Sequence, residues 1–166
     1  MPDISIRSAN RADLPRITEM YNHYVIHTVV TFDIEPYTTE RRATWFDQFA
    51  TTGRYRLLVA EAQGAIVGYA GTTRFRPKAA YDTTVETTIY CGPEIAGKGV
   101  GSALYAALFE ILKEEDVNRF VAGYTLPNSA SAALHAKFGF RTVGVFSEVG
   151  RKFGKYWDVQ WLEKSR

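Results

Sequence analysis

The sequence has one cysteine, almost no net charge and no long apolar run, and each scarcity excludes a class of protein. Cys91 has no possible disulfide partner within the chain, so a hydrophobic core must stabilise the fold. A balance of 20 Lys and Arg against 18 Asp and Glu, without a basic stripe, argues against nucleic acid as the main ligand. No apolar run approaches the ~20 residues that cross a bilayer, and no basic-then-apolar leader follows Met1. We therefore expect a cytoplasmic protein that does not enter a membrane.

The 166 residues are expected to form a single domain, 1–166. A chain of this length buries roughly 70% of the surface that its unfolded state exposes, which is enough to fold without metals or disulfides. The sequence contains no internal repeat, low-complexity tract or linker. The basic cluster Arg151, Lys152 and Lys155 is interpreted as a solvated strand face, with a phosphate contact as the alternative.

Hydrophobic periodicity in the first half predicts a strand, two helices and an antiparallel hairpin. Asn10 followed by Asp13 is typical of a helix start, and Gln63-Gly64 between two apolar runs is typical of a hairpin turn. The predicted elements are a strand at Ile4 to Ile6, a helix from Asn10, a helix from Thr39 to near Gly53, and strands Tyr55 to Glu61 and Ala65 to Thr73.

The second half predicts a strand, a glycine-dense loop, a helix and a parallel strand, followed by another helix and two strands. Asn128 can cap the later helix, which stops at Gly139. The predicted elements are the strand Thr83 to Cys91, a helix carrying Leu104, Leu108, Ile111 and Leu112, the strand Arg119 to Thr125, the helix after Asn128, and strands Phe140 to Phe146 and Tyr156 to Leu162. The fold class is therefore α/β, with a mixed central sheet flanked by helices.

The glycine-dense loop after Cys91 carries the strongest functional signal in the chain. Successive main-chain N–H groups at the start of a helix can face an anion, so this loop predicts a phosphate site. The residues expected to form it are Gly97, Lys98, Gly99, Val100, Gly101 and Ser102. A Walker A loop would need a Mg²⁺-binding Ser or Thr at Gly99, and a dinucleotide fingerprint would place its last glycine elsewhere. A glycine-rich connection that binds nothing is the remaining alternative.

Two motifs in order along the chain resemble the GNAT acyl-CoA N-acyltransferases. They are the loop Gly97-Lys98-Gly99-Val100-Gly101 and the segment from Leu126-Pro127-Asn128 to Phe138-Gly139-Phe140. Within that superfamily the chain looks most like the phosphinothricin and methionine sulfoximine N-acetyltransferase branch. The similar segments span nearly the full length: Tyr21 to Val25, Thr31 to Asp33, Arg76 to Tyr81, Thr84 to Glu86, Gly150 to Gly154 and Trp157 to Val159. Two positions depart from the superfamily pattern, because Ala96 replaces a polar loop residue and His135 replaces a common tyrosine.

The resemblance implies a GNAT fold with a mixed sheet of six to seven strands, acetyl-CoA as cosubstrate and no metal. The residues implied to contact acetyl-CoA are Ile89, Tyr90 and Cys91 through their backbone, Asn128, and the loop residues Gly97 to Ser102. The residues implied to line the acceptor pocket are Phe75, Arg76, Pro77, Glu86, Thr87 and Thr88, with Phe32 and Tyr81 as apolar walls. A homodimer is also common among similar enzymes, and Tyr156, Trp157 and Trp161 offer it an apolar contact.

Acetyl transfer from a thioester to an amine needs a base for the amine and a proton for the leaving thiolate. Glu86 lies on the strand that leads into the phosphate loop, and the resemblance implies that it is the general base; a solvent-facing glutamate is the alternative. His135 can protonate a thiolate or form a structural hydrogen bond. Asn128 can cap its helix or contact the pantetheine arm. Cys91 is either a nucleophile or a small buried apolar residue.

The sequence thus predicts an acetyl-CoA-dependent enzyme that acetylates a small amino-acid-like amine of the phosphinothricin or methionine sulfoximine type. Arg74 and Arg76 can bind a carboxylate or phosphinate of this acceptor, and surface arginines are the alternative. His23 and His27 have the spacing of a metal pair, but no cysteine or acidic cluster completes a ligand set. Two other functions remain open: a non-catalytic acyl-CoA-binding sensor, and an acetyltransferase for protein N-termini or polyamines.

Overall fold

The computed structural model describes residues 3–95 and 97–166, which form a seven-stranded mixed sheet with helices on both faces. In chain order the elements are β1 (Ile4–Ser8), α1 (Leu14–His27), α2 (Thr39–Phe46), β2 (Leu57–Ala62), β3 (Ala65–Arg74), β4 (Thr84–Cys91), α3 (Val100–Ile111), β5 (Arg119–Thr125), α4 (Ser129–Lys137), β6 (Arg141–Lys152) and β7 (Lys155–Ser165). The strands lie in the order β1-β2-β3-β4-β5-β7-β6. The predicted α/β class and strand number are confirmed. Ala96, the departure noted in the phosphate loop, lies outside the described residues.

Alternation along the strands separates two hydrophobic clusters on opposite faces of the sheet. The larger cluster packs α3 on one face and includes the fully buried Leu104 and Leu108. The smaller cluster packs α1 and α2 on the other face through Ile17, Val59, Tyr69 and their neighbours. Each large apolar side chain buried in this way stabilises the fold by roughly 1.5–3 kcal/mol, so both helical layers are fixed to the sheet. Among the described helices none is long and apolar enough to cross a membrane.

Local sequence signals explain where several elements begin and turn. The Asn10 side chain accepts a hydrogen bond from the N–H of Ala12, and Asp13 accepts one from the N–H of Asn10, which forms the capping box before α1. Gln63 and Gly64 have φ angles of 52° and 77°, as a type I′ turn requires, and join β2 to β3. The predicted helix start and hairpin are both confirmed.

α2 is shorter than the sequence predicts, because it ends at Phe46 and not near Gly53. Beyond it, the N–H of Ala50 donates to the carbonyl of Tyr55 at 3.0 Å, which turns the chain toward β2. The ring of Phe49 still packs edge-on against Trp45, in the cluster that these helices form with the sheet. The aromatic spacing therefore reflects burial and not a continuing helix.

β6 runs to Lys152, well beyond its predicted end at Phe146. Its pairing with β7 is interrupted after Phe146 and then resumes, and the hairpin closes through Phe153 and Gly154, with φ angles of 52° and 72°. Lys152 is only 4% exposed, and its Nζ donates to the carbonyl of Thr31 at 2.8 Å. The interpretation of Lys152 as part of a solvated strand face is therefore wrong.

The parallel pairing between β4 and β5 is short and opens the centre of the sheet. It covers three residue pairs and ends at Glu86 and Val121. β4 continues to pair with β3 on its other side as far as Cys91. The parallel crossover is confirmed, and the two strands part beyond Glu86 to leave a gap that positions the candidate site.

Candidate active site

Main-chain groups of β4 face the gap between β4 and β5. The N–H of Gly92, the residue after β4, donates to the carbonyl of Val67 on β3. Hydrogen bonds to one neighbour involve every second residue of an antiparallel strand, so the even-numbered residues of β4 direct their main-chain groups toward β3. The main-chain groups of Ile89 and Cys91 therefore face the gap, whereas those of Tyr90 pair with β3. The Cys91 carbonyl accepts a hydrogen bond from Tyr24 Oη at 2.6 Å. The gap thus presents main-chain N–H groups of the kind that stabilise an oxyanion.

A cavity of about 350 Å³ passes through the gap and is lined from both faces of the sheet. Small-molecule sites begin at about 300 Å³, so the cavity is large enough to be one. Glu86, Thr88 and Tyr90 line it on the face that carries α1 and α2. Thr87 and Ile89 line it on the face that carries α3 and α4. The predicted acceptor residues Glu86, Thr87 and Thr88 are thus brought together at the point where the strands part.

Glu86 is partly buried in this cavity. Burial raises the pKa of its carboxyl group above the usual range, and the positive charge of Arg76 opposes that rise. No hydrogen bond to the carboxylate is found within residues 3–95 and 97–166. A buried carboxylate with a raised pKa and free lone pairs is suited to accept a proton near neutral pH.

The phosphate loop combines left-handed glycines with the start of α3. Gly97 and Gly99 have φ angles of 77° and 81°, and a Cβ added to either would meet no atom within 4 Å. Glycine is needed there for its backbone conformation and not to make room. α3 begins at Val100, whose side chain is buried in the core, so only its main chain can face a ligand. Lys98 is exposed beside these glycines.

A second cavity, of about 550 Å³, lies along the phosphate loop and reaches the gap in the sheet. Its lining includes most of the residues predicted to contact acetyl-CoA: Ile89, Tyr90, Cys91, Gly97, Gly99, Gly101, Ser102 and Asn128. The two cavities share Ile89, Tyr90 and Asn128, so they meet along β4. An elongated ligand with its phosphates at the loop would lie with its other end near Glu86.

Asn128 caps α4, one of the two roles that the sequence left open. Its side-chain oxygen accepts a hydrogen bond from the N–H of Ser131 at 3.0 Å. Because the oxygen alone serves the cap, the amide nitrogen keeps its two donors for a ligand in the cavities that Asn128 lines. The two roles are therefore compatible.

His135 is buried, 3% exposed, with hydrogen bonds to both ring nitrogens. Nδ1 lies 2.8 Å from the carbonyl of Ser131, which can only accept, so Nδ1 carries the proton. Nε2 lies 3.0 Å from Tyr105 Oη, which in turn donates to Thr87 Oγ1 at 3.2 Å. Burial lowers the pKa of His135, and the Ser131 carbonyl partly opposes this. This geometry favours the structural alternative, and a catalytic His135 stays a prediction.

The arginines predicted to bind the acceptor differ in their surroundings. Arg74 is exposed and pairs with Asp82 at 3.3 Å, so its guanidinium already has a carboxylate partner. Arg76 influences the Glu86 carboxyl and has its guanidinium carbon 4.8 Å from the centre of the Phe75 ring. Phe75, Arg76 and Pro77 follow the end of β3 beside the cavity and are not among its lining residues. Phe32 packs against Gly150, where any Cβ would collide with its ring.

A third arginine, which the sequence did not single out, lines the cavity. Arg42 lies on α2, where Arg41 and Arg42 look equivalent in sequence, yet only Arg42 is buried. Tyr21, Tyr37 and Trp45 surround its guanidinium. Tyr37 and Trp45 are near neighbours of Arg42 in the sequence, but the Tyr21 ring comes from α1, and this contact between helices has no local signal.

Cys91 and the histidine pair of α1 give no sign of covalent or metal chemistry. Burial raises the pKa of the Cys91 thiol to about 11, which keeps it protonated and favours the reading as a small buried residue. The rings of His23 and His27 are 5.1 Å apart between centroids. Within the described part of the chain, no group of three metal-binding side chains is found.

Comparisons with known proteins all find acetyltransferases. The sequence model of the acetyltransferase (GNAT) domain matches residues 6–161. The phosphinothricin N-acetyltransferase of Streptomyces coelicolor is 51% identical over 98% of this chain and 96% of its own length. The L-methionine sulfoximine/L-methionine sulfone acetyltransferase of Pseudomonas aeruginosa is 35% identical over 96% of this chain and 92% of its own. The phosphinothricin acetyltransferase of Sinorhizobium meliloti, solved with acetyl-CoA, superposes with a TM-score of 0.92 at 32% identity, covering 98% of this chain and 88% of its own.

Proposed function

Because the chain belongs to the GNAT acetyltransferase family, we propose that it acetylates the amine of a small amino acid, with Glu86 as the general base. Acetyl-CoA is the cosubstrate, as in the related structure solved with it. The observation that carries the proposal is the partly buried Glu86 carboxylate, without a hydrogen-bond partner in the described residues, at the gap where β4 and β5 part. The similarity to named N-acetyltransferases favours an enzyme over a non-catalytic acyl-CoA sensor.

The proposed reaction begins with proton transfer to Glu86. An amino acid in solution carries an ammonium group, so the carboxylate must accept a proton, directly or through a water molecule, before nitrogen can attack. The neutral amine then forms a bond to the thioester carbonyl carbon. The raised pKa of Glu86 makes it a stronger base than a solvent-exposed glutamate.

The tetrahedral intermediate places negative charge on the former carbonyl oxygen. Main-chain N–H groups of Ile89 and Cys91 face the gap and are proposed to donate to that oxygen. Collapse breaks the C–S bond and the nitrogen loses its second excess proton, which leaves the neutral amide. The CoA thiolate takes up one of the two protons that the amine has released, and the other passes to solvent. Since both ring nitrogens of His135 have partners, the proton released from the amine to Glu86 is the thiolate's simplest source.

The phosphate loop is proposed to hold the diphosphate of acetyl-CoA. The glycine conformations at Gly97 and Gly99 and the first turn of α3 support this, as does the cavity that continues toward Glu86. Asn128 is proposed to donate its amide N–H to the pantetheine arm. Lys98 adds a positive charge near the phosphates without needing a fixed position.

The proposed acceptor is an amino acid of the phosphinothricin or methionine sulfoximine type. Arg76 lies near enough to Glu86 to influence its pKa, so a carboxylate bound by Arg76 would place the adjacent amine at the base. A polyamine would instead require an acidic pocket. The cavity contains buried arginine, which disfavours a polycation.

The organisation of the molecule is proposed on separate grounds. One domain, 1–166, is supported by the single sheet that incorporates all seven strands. A homodimer is supported by exposed apolar residues of β6: Val143, Val145, Phe146 and Val149, which are 46–59% exposed. Of the aromatic residues first considered for this contact, only Tyr156 is exposed, since Trp157 and Trp161 are partly buried. The cytoplasmic location stays a prediction.

A direct assay tests the proposed activity. The purified chain is incubated with acetyl-CoA and phosphinothricin, methionine sulfoximine or spermidine, and release of the free CoA thiol is followed. We expect turnover with the two amino acids and none above background with spermidine. Turnover with spermidine alone, or with no acceptor in a panel of amino acids, would contradict the proposal.

A further inference from the structure

Arg42 is a buried cation without a counter-ion in the described part of the chain. The residue is 5% exposed, and its guanidinium carbon lies 3.7 Å from the centre of the Tyr21 ring and 4.1 Å from that of Trp45. Its Nε is closed off from solvent and has no hydrogen-bond partner in residues 3–95 and 97–166. The residue lines the same cavity as Glu86. The rings position the guanidinium through cation–π contacts. They do not accept hydrogen bonds from its N–H groups, which point outward in the plane of the guanidinium.

The other charges near Arg42 do not neutralise it. Asp33 also lines the cavity, but its Oδ2 accepts a hydrogen bond from Tyr21 Oη at 2.5 Å and it makes no ion pair with Arg42 within the described residues. A second buried cation, Lys152, is also influenced by Asp33. Burial lowers the pKa of the Lys152 ammonium group, and the negative charge of Asp33 raises it. Lys152 lines a different cavity, so Arg42 is the one cation among the described residues that line this one, and neither Asp33 nor Glu86 forms an ion pair with it. A buried charge without a partner is costly, so this end of the cavity is suited to an anion.

The arrangement along β4 relates Arg42 to the proposed base. Glu86, Thr88 and Tyr90 share one face of the strand and line the cavity in that order. The Tyr90 ring packs edge-on to Tyr21, 5.2 Å between centroids, and Tyr21 in turn packs on Arg42. Glu86 and Arg42 therefore lie toward different ends of one cavity, with Thr88 and Tyr90 between them.

We propose that Arg42 binds the anionic group at the far end of the acceptor's side chain and makes the enzyme selective for amino acids that carry one. The inference rests on the proposed function, because Glu86 defines where the acceptor's amine lies. A guanidinium offers paired N–H donors that match the two oxygens of a phosphinate or carboxylate. In this arrangement Arg76 binds the α-carboxylate and Arg42 binds the distal group.

The test compares two acceptors of similar length, phosphinothricin with its anionic phosphinate and methionine sulfone with its neutral polar group. We expect Arg42→Gln to raise the KM for phosphinothricin about 10- to 100-fold, the loss of one charge-assisted interaction, with kcat little changed. The KM for methionine sulfone is expected to change less than about threefold. Arg42→Lys keeps the charge and should recover part of the phosphinothricin affinity.

Arg41→Gln is the matched control, because Arg41 is an exposed arginine beside Arg42 on the same helix, and it should leave both KM values unchanged. If Arg42→Gln unfolds the protein, Arg42→Lys is used instead, and its KM values for the two acceptors are compared. A rise in KM for phosphinothricin but not for methionine sulfone supports the proposal. An equal rise for both acceptors would show that Arg42 only supports the aromatic packing, and would overturn it. Wild-type protein that turns over neither acceptor would refute the proposed function itself, whereas wild-type turnover with an unselective Arg42→Gln refutes only this inference.

Discussion

Asp13 is a buried carboxylate and Glu86 a partly buried one, and the two differ in their partners. Asp13 accepts two hydrogen bonds from Arg7, at 2.7 and 2.8 Å, and this pairing lowers the pKa of its carboxyl. Glu86 has no comparable partner among the described residues, and burial raises its pKa. Asp13 therefore stabilises the start of α1 over the whole neutral range. A partly buried carboxylate without such a partner gains no stabilising interaction, which favours a chemical role for Glu86.

His135 offers a test that separates a structural role from a catalytic one. Burial lowers its folded-state pKa below the unfolded value of about 6.5, so below that pH the unfolded chain binds a proton that the folded chain does not. The free energy of unfolding should therefore fall as the pH drops below about 6.5, by up to about 1.4 kcal/mol per pH unit, and this part should vanish in His135→Gln. Urea titrations between pH 8 and pH 5.5 measure it.

The activity of the same variant completes the test. If the hydrogen bonds to Ser131 and Tyr105 are the whole role of His135, folded His135→Gln should keep kcat within about twofold of wild type. A kcat loss of about 100-fold without a change in the pH dependence of stability would instead identify His135 as the acid for the thiolate.

The phosphate loop with α3 is the element that binds the cosubstrate in this account. Gly99 sits at the N-cap of α3 in the left-handed conformation, and the space around its Cα is open. A side chain at position 99 would therefore alter the backbone conformation without colliding with a neighbouring atom. The alignment of N–H groups toward the diphosphate should therefore be sensitive to substitution at this position even though no atom would collide.

We expect Gly99→Ala to weaken CoA binding about fivefold, because a non-glycine residue in this conformation costs about 1 kcal/mol. Gly144→Ala is the control: Gly144 also has open space around it, but its φ angle is not positive. Isothermal titration calorimetry with CoA measures both affinities. Unchanged affinity in Gly99→Ala, or an equal loss in Gly144→Ala, would count against the loop as the diphosphate site.

Across the whole molecule, the exposed sheet edge at β6 supports the proposed homodimer. β6 is the last strand of the sheet and carries a row of exposed apolar side chains. Such an edge promotes uncontrolled association unless a partner covers it. A symmetric pairing of two copies would cover both edges at once.

Phe146→Glu should convert the proposed dimer to a monomer, because it places a charge in the apolar surface of β6. Ala106→Glu is the control, since Ala106 is exposed on α3, which packs on β1 to β4 at the other side of the sheet. Sedimentation velocity distinguishes the two states. A wild-type chain that sediments as a monomer would refute the dimer.

Features set by neighbouring residues could be predicted from the sequence, and features set by distant contacts could not. The Gln63-Gly64 turn, the Asn128 cap and the glycines before α3 depend on local conformation, and each lies where the pattern predicted. The burial of Lys152 against Thr31 and of Arg42 against Tyr21 depends on partners far along the chain. The site residues on β4 were identified through resemblance, and their convergence on one gap required the parting of β4 and β5.

The pH dependence of kcat/KM in wild type and Glu86→Gln decides whether Glu86 is the general base. The wild-type value should fall in acid as the Glu86 carboxylate is protonated, and the variant should lose about 10²- to 10⁴-fold in kcat together with that acid limb. Glu114→Gln, at an exposed position on the surface, should behave as wild type. A Glu86→Gln enzyme with wild-type turnover and an unchanged acid limb would contradict the account.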